Sequence, residues 1–261
     1  MRIMILGGTK DSTNIIEFIK DNYDAYILTT TTTEYGARLA KEGGSDDTIA
    51  RPLPKDDLIK VIRDYEIDLV IDATHPFAEH ITQTIVGIAD EMKMPFIRFE
   101  RPTTNLESID TSRIHYVKSF DEAGKLIESN FKQGNVLHFA GANTMADIVR
   151  YVPVERFYPR ILKVAASLEK CEALGIPEDH LISMTGAATV DENIELIEKY
   201  DGCVMITKES GEIGGVIEKI EAANQTDIAI IMIQRPEIEE LDKNDMVSNL
   251  DELNVKLKNF L

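Results

Sequence analysis

The sequence contains no tryptophan, two cysteines, five scattered histidines and no long apolar run. Cys171 and Cys203 are far apart and lack metal-ligand spacing, so they indicate ordinary thiols in a reducing compartment. The longest uninterrupted apolar run, residues 228–233, is far too short to span a membrane. The histidines supply no cluster of metal ligands. We therefore expect a soluble cytoplasmic protein without a bound metal.

Positive charge is also scarce, because 28 Lys and Arg face 46 Asp and Glu and leave a formal net charge of -18. This balance argues against nucleic acid or an anionic membrane as a partner. It does not exclude an anionic small ligand. Salt screens exposed charges beyond about 8 Å, so a pocket with a few well-placed cations can be locally positive. The composition leaves the oligomeric state open.

Short apolar runs alternate with stretches of helical period along the chain. The runs of strand length are residues 3–6, 25–30, 69–72, 95–99, 114–117, 136–139, 181–184, 204–207 and 228–233. This alternation is typical of βαβ units. It predicts an α/β fold of two Rossmann-like domains, each with a parallel sheet flanked by helices.

A polar segment near residue 104 separates the two series of runs and is the expected domain boundary. We predict a first domain at 1–104 and a second at 105–261. The closing segment 237–261 is predicted to form a polar link and an amphipathic helix that packs on the sheet of its own domain.

The first strand ends in Gly7, Gly8 and Thr9, and a helix opens at residues 10–12. Glycines let a backbone approach a ligand, and the free amides of a helix N-terminus favour a phosphate. We therefore predict that Gly7, Gly8, Thr9 and Ser12 bind a dinucleotide. The turn is shorter than the G-x-G-x-x-G fingerprint, and a simple tight βα turn would also account for it.

The run at 69–72 ends in Asp72, Ala73, Thr74 and His75, an unusually polar corner for a buried strand. In a doubly wound sheet of order 3-2-1-4-5 the first and fourth strands are neighbours, and ligands bind beyond their carboxyl ends. We expect this corner to face the glycine turn, with Asp72, Ala73 and Thr74 near the cofactor. The alternative is a hydrogen-bonded histidine at a helix start, with Pro76 at the first helical position.

The second strand ends in threonines, where a dinucleotide-binding fold often has a ribose-binding acid. Hydroxyl groups at Thr29 and Thr30 suit either an adenosine ribose or a 2'-phosphate, and Arg38 is the nearest cation. NADPH and NADH both remain open.

A third constellation, at residues 207–215, closes the strand at 204–207 and leads into a helix. Lys208, Ser210, Gly211, Gly214 and Gly215 combine a cation, a candidate N-cap serine and glycines, which together favour an anion-binding loop. A glycine-rich βα turn with a solvated lysine is the alternative interpretation.

The stretches LGGTKDS, DATHPFA, IRFERP, TKESG and MIQRP stand in an order and spacing that resemble the precorrin-6A reductase family of cobalamin biosynthesis, including its cobalt-precorrin-6A branch. The resemblance spans nearly the whole chain. It implies two Rossmann-like domains with a ligand cleft between them. It also implies hydride transfer from NADPH or NADH to a carbon-carbon double bond of a tetrapyrrole.

The acetate and propionate groups of such a substrate need cations and amides rather than a metal. The candidates for substrate binding are His75, Arg98, Arg101, Arg160, Lys208, Ser210, Gly211, Gly214 and Gly215. His75 is the candidate proton donor, and a water or a substrate carboxyl is the alternative donor.

Other classes of enzyme or binding protein would require different residues. Short-chain dehydrogenases rely on a Tyr-x-x-x-Lys pair, and none of the eight tyrosines has a lysine four residues later. A non-catalytic dinucleotide-sensing module would not need the loop at 207–215. A chelatase or methyltransferase of the same pathway is a further alternative.

Overall fold

The computed structural model describes residues 1–184 and 186–260. The chain forms two compact units. The first contains residues 1–102 and the described part of 236–261, and the second contains residues 103–235. The strands are β1 (Arg2–Leu6), β2 (Tyr26–Thr31), β3 (Asp47–Ala50), β4 (Leu69–Asp72), β5 (Phe96–Phe99), β6 (Ile114–Val117), β7 (Asn135–His138), β8 (Phe157–Ile161), β9 (Ile182–Ser183), β10 (Gly202–Lys208), β11 (Ala229–Ile233) and β12 (Met246–Val247).

Helices follow most of the strands, as βαβ units require. They are α1 (Lys10–Asn22), α2 (Glu34–Glu42), α3 (Lys55–Asp64), α4 (Glu79–Met92), α5 (Phe120–Asn130), α6 (Met145–Ile148), α7 (Ala165–Ala173), α8 (Val190–Lys199), α9 (Val216–Gln225) and α10 (Leu250–Leu257). Within the described residues, no helix is both long enough and apolar enough to cross a membrane.

The sheet of the first unit has the order β12-β5-β4-β1-β2-β3, and its paired strands are parallel. Strand β1 lies between β4 and β2, with Leu6 opposite both Asp72 and Thr30. The predicted order 3-2-1-4-5 is therefore confirmed. Strand β3 lies at the sheet edge, where its four residues are only partly buried, so it has no continuous apolar run in the sequence.

Side chains from both faces of this sheet are buried, as in other parallel sheets. Ile3 and Ile5 of β1 pack with Ile15 of α1 in one core cluster. Met4 and Leu6, which point to the opposite face, belong to a second cluster with residues of α3 and α4. The alternation along β1 thus places helices on both faces and brings the carboxyl ends of β1 and β4 to one edge.

The closing segment belongs to the first unit, which corrects the predicted domain 105–261. Met246 and Val247 pair with Arg98 and Phe99 of β5, so β12 forms the sixth strand of the first sheet. Leu253 and Leu257 of α10 are buried in the same core cluster as β1. A two-residue strand and a short amphipathic helix do not identify their sheet in the sequence, and here they cover the edge that β5 would otherwise expose. Leu261, the last residue of the predicted closing helix, lies outside the described residues.

The second sheet has the order β6-β11-β10-β7-β8-β9, and its paired strands are again parallel. Two parallel sheets flanked by helices confirm the predicted α/β class. Strand β8 was not predicted, because Pro159 and Arg160 interrupt its apolar pattern. In this sheet the carboxyl ends of β7, β8 and β10 lie at one edge.

Candidate functional site

The turn between β1 and α1 is closed by its own side chains. The Ser12 amide donates to Thr9 Oγ1 (3.1 Å), so Thr9 is the N-cap of α1. The Ser12 hydroxyl donates to the Thr9 carbonyl (2.7 Å) and accepts the amides of Gly8 and Thr9, each at 3.2 Å. Ser12 is buried, and its hydroxyl holds the turn together.

The two glycines of this turn have different roles. A Cβ on Gly7 would lie 3.0 Å from both Ser12 Oγ and Thr29 Cγ2, so close packing requires glycine there. Gly8 has φ +100° and no atom within 4 Å of a built Cβ. The backbone is therefore open to a ligand at Gly8, beside the N-terminus of α1, and this open face fits a phosphate of a dinucleotide.

The glycine turn and the corner after β4 meet directly. The Thr9 hydroxyl donates to the carbonyl of Ala73 (2.8 Å). Ala73 itself is buried, and its amide donates to the carbonyl of Leu6 (2.9 Å). The neighbouring positions of β1 and β4 thus place both predicted constellations of the first unit at one edge of the sheet.

A buried ionic network lies beneath this corner. Asp72 Oδ1 accepts the amide (3.0 Å) and hydroxyl (2.7 Å) of Thr74, and Oδ2 accepts the Thr82 hydroxyl (2.6 Å). Arg98 Nη1 lies 2.9 Å from Asp72 Oδ2 and donates to Thr74 Oγ1 (3.0 Å). The same guanidinium bonds Glu100 Oε2 through Nε (3.2 Å) and Nη2 (3.1 Å).

The network includes two of the predicted site residues. The side chains of Asp72 and Arg98 are both 0% exposed, and each bonds several protein groups. Arg98 is the internal counter-ion of Asp72 and also pairs with Glu100. Asp72 fixes the corner through its bonds to Thr74 and Thr82. Thr74 and His75 remain partly exposed above the network.

The ring of His75 is oriented by its own loop. Its Nδ1 accepts the amide of Phe77 (3.2 Å), so the proton of a neutral imidazole belongs on Nε2. Helix α4 begins only at Glu79, with Ala78 at its N-cap. Pro76 is therefore not the first helical residue, and the helix-start explanation of this histidine does not apply.

The threonines at the end of β2 also serve the fold. Thr29 is 0% exposed, and its hydroxyl lies 2.8 Å from that of Ser45. The carbonyl of Thr30 accepts the Gly7 amide (2.9 Å). Beyond the strand the side chains reach solvent, and Arg38 lies over the exposed ring of Tyr35 at 5.2 Å from its centroid.

Arg101, another predicted substrate ligand, lies at the start of the segment that leaves the first unit. Its Nε is 2.9 Å from Asp11 Oδ2, and both side chains are largely buried. Asp11 is in the first turn of α1, so this ion pair holds the start of that helix as well.

The loop after β10 is organised by Glu209. Its Oε1 accepts the amides of Thr104 (3.0 Å) and Gly211 (3.1 Å), and its carboxylate forms an ion pair with Arg235. Ser210 is not the helix N-cap that the sequence suggested. The chain first makes a 3-10 turn at Glu212–Gly214, and α9 then begins after Gly215.

Packing explains the two later glycines of this loop. A Cβ on Gly214 would lie 1.8 Å from Ser210 Oγ and 2.7 Å from Ser210 Cβ. Gly215 has φ +66°, and its Cβ would lie 3.0 Å from Ala187 Cβ. Glycine is thus needed here to close the loop against its own neighbours.

We expect Gly214→Ala to lower the free energy of unfolding by about 1–3 kcal/mol, because the new methyl group overlaps the Ser210 side chain. Adding Ser210→Gly should restore most of this loss. Gly87→Ala is the matched control, since a Cβ on Gly87 meets no atom within 4 Å. Urea unfolding followed by circular dichroism measures all four proteins. A Gly214→Ala protein as stable as the wild type would contradict the packing explanation.

Several basic side chains gather at the carboxyl ends of β8 and β10. Arg160 lies over the ring of Phe139, at 4.7 Å from its centroid, and its Nη1 is 3.6 Å from Met184 Sδ. Burial lowers the pKa values of Arg160 and Lys208. Lys219 of α9 is 3% exposed and donates to the carbonyl of Gly214 (2.6 Å).

His138, at the end of β7, is fully buried beside these cations. Burial, opposed in part by its bond with the Gly141 carbonyl, lowers its pKa to about 3. Its Nε2 lies 3.2 Å from the Gly141 carbonyl and 3.0 Å from Thr144 Oγ1. A neutral His138 therefore fixes the turn at Gly141 and is not a charged ligand group.

Sequence reasoning missed several residues that shape these loops: Thr82, Glu100, His138, Glu209 and Lys219. Glu209 stood inside a quoted motif, and its position directly after a strand was an available signal. Across residues 1–184 and 186–260, no three His, Cys, Asp or Glu side chains are grouped so that they could hold a metal ion.

Comparisons with known proteins agree with the resemblance. The sequence model of the family described as "Precorrin-6x reductase CbiJ/CobK" matches residues 2–258. The cobalt-precorrin-6A reductase of Methanothermobacter thermautotrophicus is 36% identical over 254 residues, which are 97% of this chain and 82% of that protein. The protein of the same name from Methanocaldococcus jannaschii is 37% identical over 240 residues, 92% of either chain.

A solved structure has the same fold over nearly its whole length. The structure titled "CobK precorrin-6A reductase" matches with a TM-score of 0.75 and 18% identity. The match covers 99% of this chain and 97% of that one. At this identity the comparison shows the shared fold alone.

Proposed function

The chain belongs to the precorrin-6x reductase CbiJ/CobK family, and we propose that it reduces a carbon-carbon double bond of a precorrin-6A macrocycle with a nicotinamide dinucleotide. The observation that carries this proposal is the family match across residues 2–258. The relatives at 36% and 37% identity are named cobalt-precorrin-6A reductases, which favours the cobalt-containing macrocycle as substrate. A sensing module, a chelatase and a methyltransferase have no comparable support.

The cofactor would be held at the edge formed by β1, β4 and β2. Gly8 offers an open backbone face, Thr9 caps the helix that follows, and Thr74 is partly exposed above the Asp72 network. We propose NADPH as the preferred form. No carboxylate ends β2, and the exposed Arg38 is available for a 2'-phosphate.

When bound, the nicotinamide supplies the hydride, and the protein supplies orientation and a proton. Thr9 ties the glycine turn to Ala73, so a cofactor on one loop keeps a defined position relative to the other. His75 presents Nε2–H, because Nδ1 is used by the Phe77 amide. We propose that His75, in its imidazolium form with Nδ1 also protonated and released from the Phe77 amide, gives its Nε2 proton to the carbon next to the one reduced and is left as a neutral imidazole.

Substrate carboxylates would be bound by cations and amides. Arg101, Arg160 and Lys208 remain the candidates, together with the backbone of residues 210–215. Arg98 leaves this group, because its charge is used by Asp72 and Glu100. Among these, Arg160 has only an aromatic ring and a sulfur atom as its protein contacts in the described residues.

Anaerobic incubation with cobalt-precorrin-6A tests the activity. We expect NADPH to lose its reduced-cofactor absorbance in step with formation of the dihydro product, and NADH to react more slowly. Precorrin-6A without cobalt, run in parallel, identifies the preferred macrocycle. Incubation without any macrocycle is the control. Oxidation of neither cofactor with either macrocycle would contradict the proposed function.

A further inference from the structure

Two cations, the half-buried Arg160 and the buried Lys219, lie at the carboxyl-terminal edge of the second sheet. Arg160 is near the end of β8, and its guanidinium contacts the Phe139 ring and Met184 Sδ. Lys219 is 3% exposed, and its ammonium donates to the Gly214 carbonyl. In the part of the chain that the structure describes, neither charge forms an ion pair with a carboxylate.

This arrangement is unfavourable in the free protein. A buried charge is costly unless it is paired, and two like charges add to the cost. The Gly214 carbonyl that Lys219 contacts lies just before α9, so the ammonium sits near the positive end of that helix. An anion that binds between the two side chains would offset the cost of the unpaired charges, their mutual repulsion and the positive end of the helix.

The pKa of Lys219 reflects its burial and its charged neighbours. Burial is the largest cause of its lowered pKa, about 7, and the charge of Arg160 lowers it further. The charge of Glu218 raises this pKa. The Glu218 Oε2 atom is buried and makes no hydrogen bond among the described residues.

We propose that Arg160 and Lys219 form a binding site for one carboxylate of the macrocycle. The inference rests on the proposed function, because it assumes a tetrapyrrole with acetate and propionate side chains. Arg160 supplies planar donors for the two carboxylate oxygens, and Lys219 supplies the second charge. Its ammonium keeps the Gly214 carbonyl as a partner, so the glycine loop forms one wall of the site.

The proton balance makes the proposal measurable. A lysine with a pKa of about 7 is mostly neutral at pH 8. A bound carboxylate raises that pKa, so binding at pH 8 should take up about 0.9 proton per site and at pH 6 about 0.1. The proton comes from buffer and stays on Lys219 while the carboxylate is bound.

Calorimetric titration of the full chain with uroporphyrin I, a stable octacarboxylate tetrapyrrole, tests this binding site. Titrations at pH 8 and pH 6, in two buffers of different ionisation enthalpy, give the number of protons taken up. The wild-type protein should bind with proton uptake at pH 8. Lys219→Met should bind at least tenfold more weakly and take up no proton, and Arg160→Met should also bind at least tenfold more weakly.

Lys219→Arg separates charge from structure. Arginine is permanently charged, so this variant should retain binding while losing the pH 8 proton uptake. Lys199→Met is the matched control, because Lys199 is an exposed lysine on α8, the helix that packs on α9, and it should behave as the wild type. Circular dichroism melting of each variant reports any loss of folding separately.

Three results would overturn the proposal. They are wild-type binding without proton uptake at pH 8, equal affinity of the wild type and Lys219→Met, and uroporphyrin octamethyl ester bound as tightly as the free acid. Absence of uroporphyrin binding, or its displacement by inorganic phosphate at equal concentration, would also count against a carboxylate site. Failure of the reductase assay with cobalt-precorrin-6A would contradict the proposed function instead, whatever the porphyrin titrations show.

Discussion

Arg98→Met is expected to lower the free energy of unfolding by about 3–5 kcal/mol. The substitution removes the guanidinium that neutralises Asp72 and Glu100, and Asp72 would then keep a charge at a position with 0% exposure. Removing one partner of a buried ion pair costs far more than breaking an exposed pair, because the remaining charge is neither solvated nor paired. Urea unfolding at neutral pH, followed by circular dichroism, measures the loss.

Two further variants serve as controls for this experiment. Arg38→Met removes an exposed arginine, whose nearest acid Glu42 is 4.0 Å away, and should change stability by less than about 1 kcal/mol. Adding Asp72→Asn to Arg98→Met removes the uncompensated charge and should recover part of the loss. If Arg98→Met is no less stable than Arg38→Met, the network does not stabilise the corner as described.

His75→Asn is expected to reduce turnover of the macrocycle by about 10²–10⁴-fold. Asparagine can still accept the Phe77 amide that now bonds Nδ1, but it has no acidic N–H to donate from the Nε2 position. The pH–rate profile of the wild type should therefore differ from that of the variant. Turnover measured across pH with saturating cofactor gives both results.

His80→Asn provides the matched control for this effect. His80 is exposed on the first turn of α4, five residues beyond His75, and its replacement should leave the pH profile unchanged. Cofactor affinity should also be similar in both variants, because the glycine turn is untouched. A His75→Asn rate equal to that of the wild type at every pH would show that another group, such as a water or a substrate carboxyl, donates the proton.

Most of the fold could be predicted because most interior strands are continuous apolar runs followed by a helical period. The order around β1 followed from the general topology of such folds. Strands β8 and β12 could not be found in the same way. Pro159 and Arg160 interrupt the pattern of β8, and the two residues of β12 are strand only because β5 supplies the hydrogen bonds.

The candidate site was predicted less completely. Gly8, Thr9 and His75 stand at loop positions that topology alone brings together. The sequence could not tell whether a polar side chain at a strand end points to a ligand or into the protein. Arg98 and Thr29 lie on strands and satisfy internal partners. Lys219 has no distinctive sequence signal, because its burial depends on how α9 packs against the sheet.

The return of residues 236–261 to the first unit affects how the protein folds during synthesis. The core of that unit includes Val247, Leu253 and Leu257, which the ribosome adds only after the entire second unit. At about 5–20 residues per second, translation of residues 103–235 takes on the order of ten seconds. For that interval the nascent chain carries a five-stranded sheet whose β5 edge is open to incorrect pairing. The second unit, by contrast, is continuous in sequence and can fold as soon as it has emerged.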